Sequence, residues 1–325
     1  MKVAVCLTKK GGEKACRGFA EGIIKSGDKA KVFGANLSAI ETIRTNYDVV
    51  VKACDFFFDN ISNIESRRTQ FRKALAEMDK ETIIIESAAF NDRKNCAVND
   101  KKFYSVGING IKTEANYNNK NSPSDRWNKI GCDIKPWRKD GDHVLYIMQN
   151  LGGIGLKNLD YYPDNPRAYF HDYLDQLGKS TDRPMRIRLH PNHCRSERSF
   201  SEEDKQDKWD NKRKQFMKMF SNLKSTTTVT GDHVNTLEED MSGAWCAVGN
   251  TSNALCECVI NGIPIITNDS FCMAYDMAEH DIGNLENPRT PNRTQWCHDL
   301  AYTQWTIGEM KNGDPWRHLK PELEG

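Results

Sequence analysis

Residues 245–266 read WCAVGNTSNALCECVINGIPII. A short apolar run at 245–248 leads into a small polar loop, apolar residues at helical spacing follow over 252–261, and a second apolar run begins at Pro264. A succession of strand, loop, helix and strand is typical of α/β proteins, in which crossover helices connect parallel strands. The segment therefore predicts a parallel sheet with a polar loop at the end of one strand.

The same alternation extends outward from this segment over most of the chain. Further strands are predicted at Lys2–Leu7, Lys29–Phe33, Asp48–Lys52, Thr82–Glu86, Lys102–Val106, His143–Met148, Met185–Leu189, Thr226–Thr230 and Pro264–Thr267. Further helices are predicted at Glu13–Ser26, Ser66–Met78, Pro166–Leu177, Glu202–Leu223 and Thr236–Met241. Residues 109–142 lack a clean period and are interpreted as long functional loops that end in a linker.

Length and composition agree with this organisation. The chain has 325 residues, of which 38% are apolar and 28% charged, so it is long enough for about two domains with apolar cores. We predict Rossmann-like domains at 1–140 and 141–290, followed by a C-terminal helical segment at 291–325. No apolar run approaches the ~20 residues of a membrane span, and the first residues are interpreted as a strand rather than a signal peptide.

The cysteines indicate a reducing compartment. There are 11 of them, an odd number, and no CxxC occurs. The simplest interpretation is a set of reduced thiols in a cytoplasm. Cys256 and Cys258, on the predicted helix of the opening segment, are interpreted as small packed residues.

Charge is distributed unevenly along the chain. The formal net charge is +1, but residues 1–150 contain 26 Lys and Arg against 19 Asp and Glu, and the remaining residues contain 20 against 26. A basic half beside an acidic half suggests that one domain meets a polyanion. Chance variation on solvated faces is an equally good explanation.

The loop and helix after 245–248 have the features of an anion site. The helix start at Ser252 and Asn253 offers free backbone N–H groups and the positive end of the helix dipole, which suit a phosphate. Glu257 lies about one turn further on, where its carboxylate can accept two ribose hydroxyls. The alternative is a well-capped crossover helix with a solvated Glu257.

A second candidate segment runs from Arg186 to His193. Arg188 and His190 are two residues apart at the end of a predicted strand, so both side chains are expected on one side of it, where they can bind phosphate oxygens. His190 is alternatively a core histidine at a strand end. Zinc binding by His190, His193 and Cys194 lacks a suitably spaced fourth ligand.

Two features of the first half are candidates for the other substrate. Thr8-Lys9-Lys10-Gly11-Gly12 is a glycine-rich turn after the first strand, which suits an anion or a substrate but matches neither GxGxxG nor a P-loop. Plain turn chemistry explains it equally well. Glu86 ends a buried apolar strand and is a candidate base or ligand of an acceptor hydroxyl, unless it is simply solvated.

Two motifs resemble a known family. The spacing Ser252-x4-Glu257-x4-Gly262-x-Pro264 is similar to the donor-binding segment of glycosyltransferases of the GT-B fold and of nucleotide-sugar 2-epimerases, except that Cys258 stands where many members have Ala. Arg188-x-His190-Pro191 resembles a motif of bacterial sialyl- and capsule-type transferases. The resemblance implies two Rossmann-like domains that face an interdomain cleft, with the acceptor on the first, the nucleotide sugar on the second, and a C-terminal helix that crosses back to the first.

A narrower resemblance covers most of residues 80–318. Asp125-Arg126-Trp127, Pro136-Trp137-Arg138, the strand at 141–149 and the C-terminal tail are similar to glycosyltransferases of tailed phages, among them enzymes that glycosylate 5-hydroxymethylcytosine in phage DNA and a DNA arabinosyltransferase. It implies arabinosyl or glucosyl transfer from a UDP-sugar to double-stranded DNA inside the host bacterial cytoplasm, as protection from host nucleases.

The resemblance and the motifs together assign roles. The residues assigned to catalysis are Glu86, Arg188 and His190. Those assigned to the nucleotide-sugar donor are Gln149, Asn150, Gly152, Arg188, His190, Asn250, Ser252, Asn253 and Glu257. Those assigned to the acceptor or to DNA are Lys9, Lys10, Gly11, Gly12, Lys101, Lys102, Asp125 and Arg126.

No metal, no cofactor beyond the UDP-sugar donor and no membrane partner are expected, since no Asp-x-Asp motif stands in a convincing metal context. Two alternatives within enzymes are a capsule- or wall-type transferase and a nucleotide-sugar 2-epimerase. An alternative from another class is a non-catalytic protein that binds DNA or a nucleotide sugar.

Overall fold

The computed structural model describes residues 1–8, 12–53, 67–89, 102–150, 154–156, 158, 166–191, 202–219, 226–231 and 234–325. These residues form two compact units. The first unit comprises Met1–Cys132 and Arg293–Gly325, and the second comprises Asp133–Asn292. The linker after Cys132 belongs to the second unit because the N–H groups of Lys135 and Arg138 donate to the carbonyls of Ile260 and Gly262.

Strands and helices alternate through the described residues, as the sequence predicts. The strands are β1 (Lys2–Cys6), β2 (Lys29–Phe33), β3 (Val49–Ala53), β4 (Glu81–Ser87), β5 (Phe103–Ile108), β6 (His143–Ile147), β7 (Met185–Arg188), β8 (Thr228–Thr230), β9 (Ala244–Gly249), β10 (Ile265–Ile266) and β11 (Gln304–Thr306). The helices are α1 (Glu13–Lys25), α2 (Ile40–Asn46), α3 (Arg67–Ala76), α4 (Asp125–Ile130), α5 (Pro166–Ser180), α6 (Glu202–Met219), α7 (Leu237–Met241), α8 (Ala254–Ile260), α9 (Thr294–Ala301), α10 (Ile307–Asn312) and α11 (Asp314–Glu324).

The sheet of the first unit is mixed. Over the described residues its order is β11-β5-β4-β3-β1-β2. Strands β1 to β4 are parallel, whereas β5 runs antiparallel to β4 and β11 antiparallel to β5. Strand β11 is a difference from the sequence analysis, which interprets this tail as helical. It forms because Trp305 pairs with Tyr104 across the sheet and its neighbours Gln304 and Thr306 are buried.

Alternation along β1 separates two cores. Val3 and Val5 pack on the face that carries α1 and the C-terminal segment, while Ala4 and Cys6 pack with Phe71 on the opposite face. Successive residues of a strand point to opposite faces, so a nearly continuous apolar run is required wherever helices cover both. The first unit is therefore a sheet with helices on both faces.

The C-terminal segment completes the first of these cores. Trp316 is fully buried and meets Phe19 edge to face, with ring centroids 6.3 Å apart. At Gly22 an added Cβ would lie 1.8 Å from the carbonyl oxygen of Met310, so only glycine permits α1 and α10 to come this close. Asp28 accepts hydrogen bonds from Trp316 Nε1 and Met1. The predicted return of the C-terminal helices to the first domain is confirmed.

The second unit has a parallel sheet with the order β10-β9-β6-β7-β8 over the described residues. The chain moves from β6 outward to β8 and then returns to the other side of β6 at β9. Tyr146 and Phe170 lie in the core under this sheet, together with Cys246. The predicted class, two α/β units built on largely parallel sheets, is confirmed.

Other details refine the sequence interpretation. Residues 109–142 are not loop throughout, since α4 lies within them with Trp127 and Ile130 buried. Cys256 and Cys258 are buried as expected, and burial raises the pKa of the Cys258 thiol well above its ordinary value. Among the described helices, none is long and apolar enough to cross a bilayer.

Candidate functional site

The candidate site lies at the carboxyl edge of the second sheet. Strands β6 and β9 are neighbours in this sheet. The chain continues from β6 to β7 on one side and from β9 to β10 on the other side. Ligands of open α/β sheets bind in the crevice that such a switch point creates. Gln149 and Asn150 follow β6, and Asn250 follows β9, so the fold brings these predicted donor residues to one edge.

Gln149 holds two loops of this edge together. Its Nε2 donates to Thr251 Oγ1 at 2.7 Å, and that hydroxyl donates to the carbonyl of Gly155 at 2.9 Å. An added Cβ at Gly155 would lie 2.0 Å from Gln149 Nε2, so a larger residue there would displace the Gln149 side chain. The described role of Gln149 is thus to order the loops after β6 and β9, and its contact with a donor stays a prediction.

A second set of buried polar groups follows β10. Thr267 Oγ1 donates to the carbonyl of Asn250 at 2.7 Å, and the N–H of Asp269 donates to Thr267 Oγ1 at 3.2 Å. All three residues are buried. The sequence analysis missed Asp269, although the same signal that selected Asn250, a polar residue shortly after an apolar strand, was present at 267–269.

Arg188 ends β7 and forms a buried ion pair. Its Nη1 donates to Asp240 Oδ2 at 2.5 Å, and the side chains are 8% and 0% exposed. Asp240 also accepts from Thr230 Oγ1 at 2.8 Å and from Asn235 Nδ2 at 2.8 Å. This ion pair fixes the end of β7 against α7. Binding of a departing diphosphate by Arg188 stays a prediction.

The other predicted donor residues lie at neighbouring strand ends. His190 is half-buried two residues after β7, and Ser252, Asn253 and Glu257 are half-buried after β9. Ser252 Oγ accepts the N–H of Ala254 at 3.3 Å, and α8 begins at Ala254 rather than at Ser252. The order of the sheet places β7 and β9 on opposite sides of β6. Ligand binding by these residues stays a prediction.

Gly262 of the recognised motif has a structural reason. Its φ is +76°, and an added Cβ would lie 2.0 Å from the carbonyl oxygen of Pro136. The turn from α8 to β10 therefore requires glycine, because the left-handed region disfavours other residues and the linker packs closely against it.

Glu86 is the candidate base of the first unit. It is half-buried near the carboxyl end of β4 and pairs with Ser105 of β5, whose Oγ donates to the Tyr117 hydroxyl at 3.0 Å. Burial raises the pKa of Tyr117 to about 12, and the charge of Glu86 acts in the same direction. Glu86 thus lies beside a buried, protonated phenol, and its role as a base stays a prediction.

Thr8 follows β1, which lies beside β3 at the switch point of the first sheet. Thr8 Oγ1 donates to the carbonyl of Ala53 at 3.2 Å, and a Cβ at Gly12 would lie 2.4 Å from the Cβ of Ala53. Gly12 is therefore required by packing. Five predicted site residues lie outside the described residues, namely Lys9, Lys10, Gly11, Lys101 and Gly152.

Arg126 is a predicted DNA contact, and the structure places it in a buried ion pair of the first unit. Arg126 is buried, and its Nη1 and Nη2 donate to the two carboxylate oxygens of Glu309 at 2.8 and 2.9 Å. Its guanidinium also lies 3.7 Å from the centroid of the Trp305 ring. Contact of Arg126 with DNA stays a prediction. Asp125 accepts a hydrogen bond from the hydroxyl of Tyr302 at 2.8 Å.

Lys102 is exposed, with its ammonium 5.4 Å from the centroid of the Tyr104 ring.

Within the part of the chain that the structure describes, no group of three or more His, Cys, Asp or Glu side chains is arranged to hold a metal ion.

Two α/β units with C-terminal helices that return to the first unit define the GT-B class of fold. Among solved structures, the chain is similar to the β-Kdo 2,4 transferase of KpsC from Thermosulfurimonas dismutans, with a TM-score of 0.51 and 12% identity over 100% of this chain and 98% of that chain. This likeness shows the fold.

Two further structures are similar at lower scores. The β-Kdo 2,7 transferase of KpsC from Thermosulfurimonas dismutans has a TM-score of 0.45 and 12% identity over 98% of this chain and 100% of that chain. The UDP-GlcNAc 2-epimerase of Methanocaldococcus jannaschii, in complex with UDP-GlcNAc and UDP, has a TM-score of 0.34 and 10% identity over 100% of both chains. No protein-family model and no curated protein matches this chain.

Proposed function

We propose that this protein transfers a sugar from a UDP-sugar to an acceptor. The observation that carries the proposal is the switch point between β6 and β9, where the polar side chains of Gln149 and Thr251 are buried and bonded to each other. Apolar packing does not need such groups, whereas a preformed ligand site does. The GT-B fold, shared with a Kdo transferase, supports the same class of chemistry.

The ribose and the diphosphate of the nucleotide sugar both have proposed partners at this edge. The carboxylate of Glu257 accepts hydrogen bonds from the ribose hydroxyls. The loop at Ser252 and Asn253, after β9, holds the diphosphate. His190, which follows β7 on the other side of β6, donates a hydrogen bond to the diphosphate. Arg188 acts through His190, because its ion pair with Asp240 fixes the strand end from which His190 projects.

In the transfer, the bond between the anomeric carbon and the terminal phosphate oxygen of UDP breaks, and its electron pair stays on that oxygen. The acceptor hydroxyl oxygen forms the new bond to the anomeric carbon. Its proton passes to a base, for which Glu86 is the proposed residue. The donors to the diphosphate stabilise the charge that develops on the departing UDP, so the proposal needs no metal.

The proposed acceptor is 5-hydroxymethylcytosine in double-stranded DNA, with arabinose or glucose as the transferred sugar. Its support is the resemblance of residues 80–318 to tailed-phage enzymes and the excess of 26 basic over 19 acidic residues in the first 150. The modified base must leave the helix to react, at a cost of a few kcal/mol. Binding that rests on phosphate contacts should weaken steeply with salt. The modified DNA would resist nucleases of a bacterial host, in whose cytoplasm the enzyme would act.

The test combines a donor panel with two DNA substrates. The protein is incubated with hydroxymethylated or plain DNA and with UDP-glucose, UDP-galactose, UDP-arabinose or UDP-GlcNAc, with and without EDTA. Released UDP is measured, and the nucleosides are analysed by mass spectrometry. We expect UDP and a hexose or pentose mass gain on hydroxymethylated DNA alone, unchanged by EDTA.

Other outcomes contradict the proposal at different levels. Loss of turnover in EDTA would overturn metal independence alone. Release of UDP only with a saccharide acceptor would overturn DNA as the acceptor and support a capsule-type transferase. Conversion of the UDP-sugar without any acceptor would support a 2-epimerase, and binding without consumption would leave a non-catalytic protein.

A further inference from the structure

The carboxylate of Asp269 is satisfied on one oxygen only. Asp269 is 6% exposed, and its Oδ1 accepts the N–H of Phe271 at 3.0 Å and Nδ2 of Asn158 at 3.1 Å. Its Oδ2 is buried and, in the described part of the chain, accepts no hydrogen bond. The buried carboxylate of Asp240 in the same unit differs, since both of its oxygens accept hydrogen bonds.

A buried acceptor without a donor destabilises the folded chain. Buried polar groups are nearly always bonded, so an exception points to a role beyond packing, such as the binding of a ligand. The hydrogen bonds at Oδ1 do not explain why this residue is an aspartate, because the side-chain oxygen of an asparagine could accept them as well. The second oxygen is therefore available for a ligand that donates a hydrogen bond.

The position of Asp269 identifies the part of a ligand that it faces. Asp269 follows β10, which neighbours β9, and its partner Asn158 is exposed, so the carboxylate is one side chain away from solvent. The loop at Ser252 and Asn253, to which the diphosphate is assigned, follows the neighbouring strand β9. A diphosphate carries no proton to donate, and a carboxylate repels its charge. Asp269 therefore suits an uncharged group of the same ligand that carries hydroxyls.

We propose that Oδ2 of Asp269 accepts a hydrogen bond from a hydroxyl of the transferred sugar, which makes Asp269 a residue that determines donor specificity. The inference rests on the proposed function. A site built around such a hydrogen bond rejects analogues without the hydroxyl far more strongly than an apolar pocket does, because the buried acceptor is then left unsatisfied. The ribose also carries hydroxyls, so the test must separate the sugar from the nucleoside.

The sharpest variant is Asp269→Asn. It keeps an oxygen for Asn158 and Phe271 but replaces Oδ2 by an amide nitrogen, which donates and cannot accept. The dissociation constants of UDP and of the UDP-sugars in the panel are measured by calorimetry for both proteins. In the wild type we expect at least one UDP-sugar to bind more tightly than UDP. In the variant, UDP binding should change less than about twofold, and the preferred UDP-sugar should bind about 10- to 100-fold more weakly.

Glu279→Gln is the matched control. Glu279 is also a buried carboxylate after β10, but its Oε1 accepts from the N–H groups of His280 and Asp281 and from Asn284 Nδ2. This variant should keep the wild-type ratio of UDP-sugar to UDP affinity, even if it lowers the thermal midpoint. The thermal midpoint of Asp269→Asn shows whether that variant is folded.

The outcomes separate the inference from the proposed function. If no UDP-sugar binds the wild type more tightly than UDP, the role of Asp269 is overturned, whereas the proposed function fails only if no UDP is released in the acceptor assay. If the wild type shows this preference and Asp269→Asn keeps it, only the role of Asp269 is overturned. If the variant weakens UDP and UDP-sugar equally, Asp269 contacts the nucleoside or supports the fold, and sugar recognition is again overturned.

Discussion

Arg126 and Glu309 form a two-point ion pair, with N–O distances of 2.8 and 2.9 Å and side chains that are 6% and 7% exposed. The pair joins α4 to the C-terminal segment of the same unit. Burial of Glu309 opposes its ionisation, but the hydrogen bonds and charge of Arg126 prevail and lower the pKa of Glu309 to about 2. The C-terminal segment is thus held to the first unit by a buried charge pair as well as by apolar packing.

Removal of one partner should be costly. Arg126→Ala leaves the buried Glu309 carboxylate without its buried counter-ion, so we expect a loss of about 3–5 kcal/mol in the free energy of unfolding. Urea denaturation monitored by tryptophan fluorescence measures it. The matched control is Lys129→Ala, since Lys129 contacts the same carboxylate at 3.2 Å but is 58% exposed and should contribute about 0–1 kcal/mol. Equal effects of the two substitutions would contradict the structural role of Arg126.

Acid should weaken the first unit. Burial opposes ionisation of Asp28, but hydrogen bonds from the Met1 ammonium, Lys320 and Trp316 lower the pKa of Asp28 to about 2. Because the folded-state pKa lies below the ordinary value of 3.8, the stabilisation is complete above about pH 5 and is lost as the pH falls towards 2. Glu309 acts in the same direction.

The variant Asp28→Asn should lower stability at pH 6 and flatten its dependence on pH between 5 and 2, because the unfolded chain no longer takes up a proton at this position. Urea denaturation at several pH values compares the two slopes. A variant that keeps the slope of the wild type would show that Asp28 does not retain its low pKa in solution.

The contact between α1 and α10 should not tolerate a methyl group. Gly22→Ala would place Cβ 1.8 Å from the Met310 carbonyl oxygen, so one helix must shift. We expect a loss of about 1–3 kcal/mol or more, with faster proteolysis inside residues 293–325. Gly34→Ala is the control, because nothing lies within 4 Å of its added Cβ and stability should change by less than about 0.5 kcal/mol. Unchanged proteolysis of Gly22→Ala would contradict the packing described here.

Glu257 should contribute to nucleotide binding. If its carboxylate accepts the ribose hydroxyls, Glu257→Ala should weaken UDP about 10- to 100-fold, since hydrogen bonds to a charged group are stronger than neutral ones. Titration calorimetry with UDP measures this. Glu238→Ala removes an exposed carboxylate of the same unit, in α7, and should leave the affinity unchanged. A UDP affinity that survives Glu257→Ala would refute the assignment.

Strand β6 could be predicted closely because it is buried on both faces. Its residues 144–147 form a continuous apolar run, and a polar loop follows them, as one follows β9. Such runs are typical of parallel sheets, so neither pairing nor partners needed to be known. Strand β11 offered no such signal, because Gln304 and Thr306 are polar and are buried only through pairing with β5.

Candidate site residues could be predicted by their place after apolar strands but not by their use. Asn250 and Gln149 were found in this way, and the same signal at 267–269 pointed equally to Asp269. The sequence does not show that Asp240 forms an ion pair with Arg188, since the two are 52 residues apart and meet only when α7 packs beside β7. Asp240 therefore carried no recognisable signal of its own.

The sequence by itself determined the fold class, because local periodicity and the polarity of strand ends are properties of short segments. Only the tertiary structure decided which charged groups form ion pairs within the fold and which keep an oxygen that accepts no hydrogen bond. Arg126 finds Glu309 across 183 residues, whereas Oδ2 of Asp269 finds no donor in the described part of the chain. Burial and pairing depend on contacts between segments that are distant in sequence, and no local pattern encodes them.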